Sequence, residues 1–252
     1  MLKSRVIPCL LLKNEALVKT VNFKDPTYIG DPINAIRIFN EKGIDELIVT
    51  DIAATPQNKK PPIELLAKIA KECFMPLAYG GGIRNIEEIK EILNLGIEKV
   101  VINSYAAENL SFIKQAAGIF GSQSIVVSMD AKRDKSGTYE IFTHGGTKAT
   151  GLDPVDFSRA AAEMGAGEIF LNSIDRDGTM SGYDLELIEK VSRSVTIPVV
   201  ACGGAGKIED FKRAFAAGAS AAAAASMFVF YGKNRAVLIN YPDLKELESI
   251  LT

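Results

Sequence analysis

Short β-branched runs alternate with amphipathic segments along the whole chain. RVIPCLLL, ELIVTDI, MPLAYGG, KVVINS, SIVVSMD, EIFLNSI, IPVVACGG and SAAAAAS read as strands, and helical patterns follow most of them. A regular β-then-α alternation joins parallel strands through crossover helices. Eight units in 252 residues suit a closed barrel better than an open sheet. The expected fold is therefore α/β, a (β/α)8 TIM barrel in one domain over residues 1–252. Where the helical period is clear, the ends are clear too. Ile86, Ile89, Ile92 and Leu93 share one face of a helix over residues 86–95, with Asn85 as its N-cap and Gly96 as its stop.

The chain also repeats itself. Pro76–Ser104 aligns with Pro198–Ser226 without a gap, matching Gly81 to Gly203, Gly82 to Gly204, Ile86 to Ile208, Glu87 to Glu209, Gly96 to Gly218 and Ser104 to Ser226. Upstream, Glu46 falls opposite Glu168, and VIPCLL opposite VVSMD, which makes Leu11 the counterpart of Asp130. Two similar half-barrels are the natural reading.

Composition narrows the partners. With 29 basic against 31 acidic residues the formal charge is −2, and no run of like charges marks a tail for nucleic acid or anionic lipid. The longest apolar stretch, Ala214 to Phe230, is mostly alanine and is broken by Gly218 and Ser220, so no membrane span is expected. The N-terminus lacks the apolar length and cleavage site of a secretory signal, leaving the cytoplasm as the default compartment. Cys9, Cys73 and Cys202 are widely spaced and read as buried thiols. No metal site and no nicotinamide or flavin motif appears, so no cofactor is expected.

In such barrels the chemistry sits where strands end. Gly80 to Gly82 close the third strand, Asn103 and Ser104 the fourth, Gly203 and Gly204 the seventh, and Ser226 the eighth. Glycines let backbone amides approach a phosphate, and the following helix N-terminus adds its positive end. GGGI alone is a weak signal, since a plain glycine turn explains it equally well. Its repetition as CGGA suggests two phosphate sites, one per half, and hence a substrate phosphorylated at both ends. Asp130 and Asp51 close the fifth and second strands as general acids or bases, or simply as caps of the next helix. Asp177 fits an Asx turn in its glycine-flanked loop better than a ligand contact. His144, the single histidine, lies in the polar segment THGGTKATG and reads as a solvated residue of a loop or hairpin. Arg5, Glu46, Lys99 and Glu168 start alternate strands and suit a ring of salt bridges across the barrel floor.

RVIPCL, GDP, GIDEL, YGGGI, FGSQS, DAKR, GAGEI, SIDRDGT, SGYD and ACGGAGK occur in the order found in the cyclase subunit of imidazole glycerol phosphate synthase, which the chain resembles from residue 1 to about 230. The resemblance implies a partner, a glutaminase subunit docked on the N-terminal face in a heterodimer, whose ammonia crosses the barrel to the far end. It implies that Gly82, Asn103 and Ser104 hold one substrate phosphate, and Asp177, Gly178, Gly204, Ala225 and Ser226 the other. Lys19 would belong to a loop folding over the substrate, Asp130 would be one of two catalytic aspartates, and Arg5, Glu46, Lys99 and Glu168 would form the gate for ammonia.

The sequence departs from this pattern at the chemistry. Where the family reads CLDV, the chain reads Cys9-Leu10-Leu11-Leu12, so Leu11 replaces the first catalytic aspartate. Asn172 stands where the family often has threonine. Loss of a positioned acid or base commonly costs about a hundred- to ten-thousandfold in rate. Two readings stay open: a cyclase converting phosphoribulosyl formimino-aminoimidazole carboxamide ribonucleotide to imidazole glycerol phosphate, or a cyclase-inactive conduit handing ammonia to a third, amidotransferase-type enzyme. Paralogues of the latter kind are associated with amidination of surface-polysaccharide sugars, as in lipopolysaccharide biosynthesis. The related phosphoribosylformimino isomerase shares the half-barrel plan but fits DAKR and SIDRDGT less well.

Overall fold

A computed structural model describes residues 4–243 and 245–247; the expected domain limits, residues 1 and 252, lie outside them. Eight parallel strands close a barrel: β1 (Arg5–Lys13), β2 (Leu47–Asp51), β3 (Leu77–Gly80), β4 (Lys99–Ile102), β5 (Ile125–Arg133), β6 (Glu168–Ser173), β7 (Val199–Cys202) and β8 (Ala221–Ala224). Neighbours in sequence pair throughout, β5 pairs β6 with Asp130 opposite Asn172, and β8 returns to β1 with Arg5 opposite Ala221. The chain is thus a (β/α)8 barrel.

Both faces of the strands are buried. Ile7, Ile48, Ala78, Val101, Val126, Phe170 and Val200 point inward into one apolar cluster. The alternate positions, among them Val6, Leu47, Val127 and Ile169, join the larger cluster between sheet and helices. This explains why the strands read as continuous apolar runs rather than alternating ones.

The two halves match in detail. The helix Ile86–Asn94 is capped by Asn85, whose side chain accepts from the Glu88 amide at 2.9 Å, and its counterpart is Ile208–Ala216. Gly96 and Gly218 end these helices at φ +91° and +103°. Ser104 and Ser226 each open a short helix, Ser104–Glu108 and Ser226–Val229.

An antiparallel hairpin extends the first strand of each half. Ala16–Val21 and Lys24–Gly30 continue from β1, and Tyr139–Thr143 folds back on β5. The expectation of a loop or hairpin around His144 holds, but the β1 hairpin is an element that the sequence pattern does not announce. Its turns place Asn14, Glu15, Asn22 and Phe23 at φ +49° to +64°, a region that glutamate and phenylalanine seldom adopt. Of the three cysteines, Cys9 and Cys202 are buried inside the barrel while Cys73 is only half-buried, its thiol pushed up to about 11 by desolvation. No helix among the described residues is long and apolar enough to cross a membrane.

Candidate active site

The barrel's C-terminal end holds a cavity of about 280 Å³ lined by Leu11, Asn103, Asp130, Phe170, Asn172 and Asp177, among others. A second cavity, about 390 Å³, is lined by Gly81, Gly82, Arg84, Asn103, Ser104 and His144. The two share Asn103, Ser104 and His144 in their walls.

Asp130 is the site's titratable centre. It ends the inward row of β5 and accepts a 3.0 Å hydrogen bond from Asn103 Nδ2. Burial, reinforced by the negative charge of Asp177, raises its carboxyl to about 7, while hydrogen bonds from Asn103 and Asn172 pull the other way. A carboxyl poised there can take or give a proton at neutral pH. Beside this group Asn172 keeps its Oδ1 buried, without a hydrogen-bond partner among the described residues. Leu11, on β1, presents a side chain to the same cavity that can neither accept nor donate a proton.

Asp51 closes the turn that follows β2 and does not cap the next helix, Ile63–Glu72, which begins after Pro62 without a side-chain cap. Its Oδ1 accepts from the amides of Ala53 at 2.9 Å and Ala54 at 3.2 Å, and burial raises its carboxyl above the ordinary range.

Another expectation needs correction. Asp177 makes no Asx turn: its carboxylate is buried and accepts from Lys19 Nζ at 2.8 and 3.0 Å and from Thr20 Oγ1 at 2.9 Å. The β1 hairpin brings these partners in, and Asn22 fastens it further by donating through its backbone amide to the Asp177 carbonyl at 2.8 Å. His144 lies in a turn with its side chain partly exposed, and it also borders both cavities, its backbone amide donating to Ser104 Oγ at 3.1 Å.

Of the expected phosphate residues, Gly82, Asn103 and Ser104 meet around the larger cavity. Gly178, Gly204 and Ser226 gather around the loop after β6, where the Gly182 amide donates to the Gly204 carbonyl at 2.8 Å. Ala225 borders the smaller cavity. Arg235, which no motif pointed to, reaches this second group and donates through Nη2 to the Gly178 carbonyl at 2.9 Å and to Ser226 Oγ at 3.4 Å. It lies past the stretch that carries the family motifs, and only folding brings it here.

At the opposite end Arg5, Glu46, Lys99 and Glu168 close a ring. Arg5 bridges Glu46 and Glu168, and Lys99 bridges the same pair at 2.7 and 3.0 Å. Both carboxylates are buried and each is satisfied twice over, which offsets their desolvation. Above the ring the barrel interior is filled by apolar side chains, Ile7, Ile48, Ala78, Val101, Val126 and Phe170.

The family model for histidine biosynthesis proteins matches residues 5–235. The chain belongs to this family. It is a divergent HisF-like member. A protein of Pseudomonas aeruginosa provisionally named imidazole glycerol phosphate synthase subunit hisF2 is 53% identical over 252 residues, covering 98% of this chain and 99% of that protein. One of Leptospira interrogans, provisionally named subunit HisF of the same synthase, is 48% identical with 99% of each chain covered. The imidazole glycerol phosphate synthase subunit HisF of Alkaliphilus metalliredigens is 47% identical over 229 residues, 90% of this chain and 91% of its own. Within the histidine biosynthesis family, then, the chain aligns over almost its full length with the provisionally named relatives and over nine-tenths of it with the last.

Proposed function

We propose that the chain, acting as one (β/α)8 domain over residues 1–252, is the ammonia-using subunit of a glutamine amidotransferase pair of the imidazole glycerol phosphate synthase type. A glutaminase subunit would dock on the floor, ammonia would pass the Arg5–Glu46–Lys99–Glu168 ring, and a bisphosphorylated substrate would lie between the glycine loops of the two halves. The observation that carries this reading is a charged ring at one end of the barrel and a carboxyl poised near neutrality at the other, with apolar side chains between them. In the parent reaction phosphoribulosyl formimino-aminoimidazole carboxamide ribonucleotide yields imidazole glycerol phosphate. Asp130 would move protons at one end of the substrate while Lys19 and its hairpin exclude water.

A second reading draws support from Leu11. Cyclisation after ammonia attack requires proton transfers at two places, and the wall facing Asp130's cavity offers leucine. A chain with its ring of charges intact and leucine at position 11 suits a conduit that releases ammonia to a third, amidotransferase-type enzyme, for example one that amidinates a surface-polysaccharide sugar.

Ammonium-driven turnover of the ancestral substrate by the purified chain and by Leu11→Asp separates the two. Turnover by the unmodified chain establishes a cyclase and removes the conduit reading. Turnover only by the variant assigns the loss of chemistry to one residue in a preserved pocket. Silence from both folded proteins overturns the cyclase reading and directs the search to another ammonia acceptor.

A further inference from the structure

Arg235 is placed by a turn at the barrel's C-terminal end. The hairpin Phe230–Tyr231 with Ala236–Val237 is closed by a hydrogen bond from the Arg235 amide to the Gly232 carbonyl at 3.1 Å. Arg235 itself sits at φ +50°, a left-handed conformation uncommon for a residue with a side chain. The guanidinium lies over the Phe230 ring, 4.7 Å from its centroid, and Nη2 is drawn toward Gly178 and Ser226. A planar cation stacked on an aromatic face loses little further freedom when it binds.

Its hydrogen bonding is incomplete. Nη2 has a good acceptor in the Gly178 carbonyl at 2.9 Å and a long one in Ser226 Oγ at 3.4 Å. Nε is buried and has no hydrogen-bond partner among the described residues. A buried donor without an acceptor costs free energy, and an arginine fork with open donors is shaped for an oxyanion that takes two parallel bonds.

The local charge leads to the same ligand. Lys19 and Asp177 neutralise each other next to Gly178, so that pair offers a phosphate nothing net. The guanidinium of Arg235 adds a positive charge at Gly178 and Ser226. Gly204, at φ +115°, packs closely against the Gly182 carbonyl, where a side-chain carbon would stand 2.2 Å away, and so holds the two loops together beside this charge.

We infer that Arg235 is a specificity-determining residue of the second half-barrel. It takes a phosphomonoester dianion between its guanidinium and the backbone around Gly178, Gly204 and Ser226. The Nε–H and one Nη2–H bond two phosphate oxygens, and the long contact to Ser226 Oγ is given up as the ligand enters. The first half-barrel has a different arginine in its cavity wall, Arg84, whose Nη1 donates to Asn58 Oδ1, so the two sites would hold phosphate through separate cations. This rests on the phosphate reading of the proposed function and adds to it a ligand outside the motif-bearing stretch.

The test is a titration of the isotopically labelled full chain with inorganic phosphate, followed at the backbone amides. Gly178 and Ser226 report the second site, and Gly82 and Ser104 the first. In the unmodified chain both sets are expected to shift. Arg235→Gln is expected to weaken the second site roughly ten- to hundredfold and leave the first unchanged. Because the first site then serves as a control for folding, a variant that merely unfolds is recognised. Arg235→Lys keeps the charge without the fork and is expected to recover part of the affinity. The salt dependence of second-site binding should also become shallower in Arg235→Gln. Equal second-site affinity in Arg235→Gln and the unmodified chain overturns the inference and leaves Arg235 as a strap on the loop. Shifts confined to the first site in the unmodified chain overturn it as well, with the first phosphate site intact. Absence of shifts at both sites sinks the phosphate reading itself.

Discussion

Lys19 holds its ammonium 2.8 and 3.0 Å from the two carboxylate oxygens of Asp177, 158 residues along the chain, with both side chains buried. This pair ties the β1 hairpin to the loop after β6. Lys19→Met leaves the Asp177 carboxylate in a dry site with Thr20 as its remaining side-chain donor, and the expected cost is about 3 to 5 kcal/mol. Adding Asp177→Asn removes the stranded charge and should return much of that loss. Chemical denaturation of the two variants, compared at constant slope, checks both expectations.

Asp130 gives the chain a pH-dependent stability term of definite sign. Its folded carboxyl is raised to about 7 from an ordinary 3.8, so between these values the folded state holds a proton that the unfolded state has released. Stability contributed at this site is therefore fully present below pH 4, declines as pH rises, and levels off above pH 7. Asp130→Asn is expected to flatten this part of the profile and to be the more stable protein at pH 8. Melting temperatures of the two proteins from pH 4 to 8 decide it; parallel profiles would show that the carboxyl is not raised.

The floor ring should respond to loss of one cation in a way that acid corrects. Lys99→Met leaves Glu46 and Glu168 sharing Arg5 alone, at an expected cost of about 3 kcal/mol near neutrality. Two crowded carboxylates with too little positive charge favour a proton on one of them. The variant should thus regain stability as pH falls toward 5, where the unmodified chain gains less. Urea unfolding at pH 5 and pH 8 measures the difference.

Gly178 controls closure of the hairpin. It adopts φ +73°, and a side-chain carbon added there would stand 2.2 Å from the Thr20 carbonyl. Gly178→Ala is expected to push the β1 hairpin off the loop while leaving the barrel folded. Limited proteolysis should then cut the variant between residues 14 and 30 faster than the unmodified chain; equal cutting rates would rule out this role.

The fold was legible because it depends on local pattern. Eight apolar strand runs, the helix period of residues 86–94, the Asn85 cap and the glycine stops at Gly96 and Gly218 all act over a few residues, and the repeat of Gly81 and Gly82 as Gly203 and Gly204 carries the symmetry. The closing ring of charges was legible too, since barrel geometry brings strand starts together. The β1 hairpin escaped because its turns rest on residues that rarely take positive φ, held there by contacts with a loop more than 150 residues away.

What the sequence alone determined, then, is the barrel and its two-fold internal likeness, because covalent order and side-chain periodicity suffice for these. Tertiary structure decided which charges meet. Asp177 became half of a buried ion pair rather than a turn-former, the His144 amide met Ser104 Oγ at the edge of the cavities, and Arg235 came to rest against Gly178. Each of these depends on distances between segments far apart in the chain, and electrostatic interactions are decided by distance and burial, neither of which is written in local order.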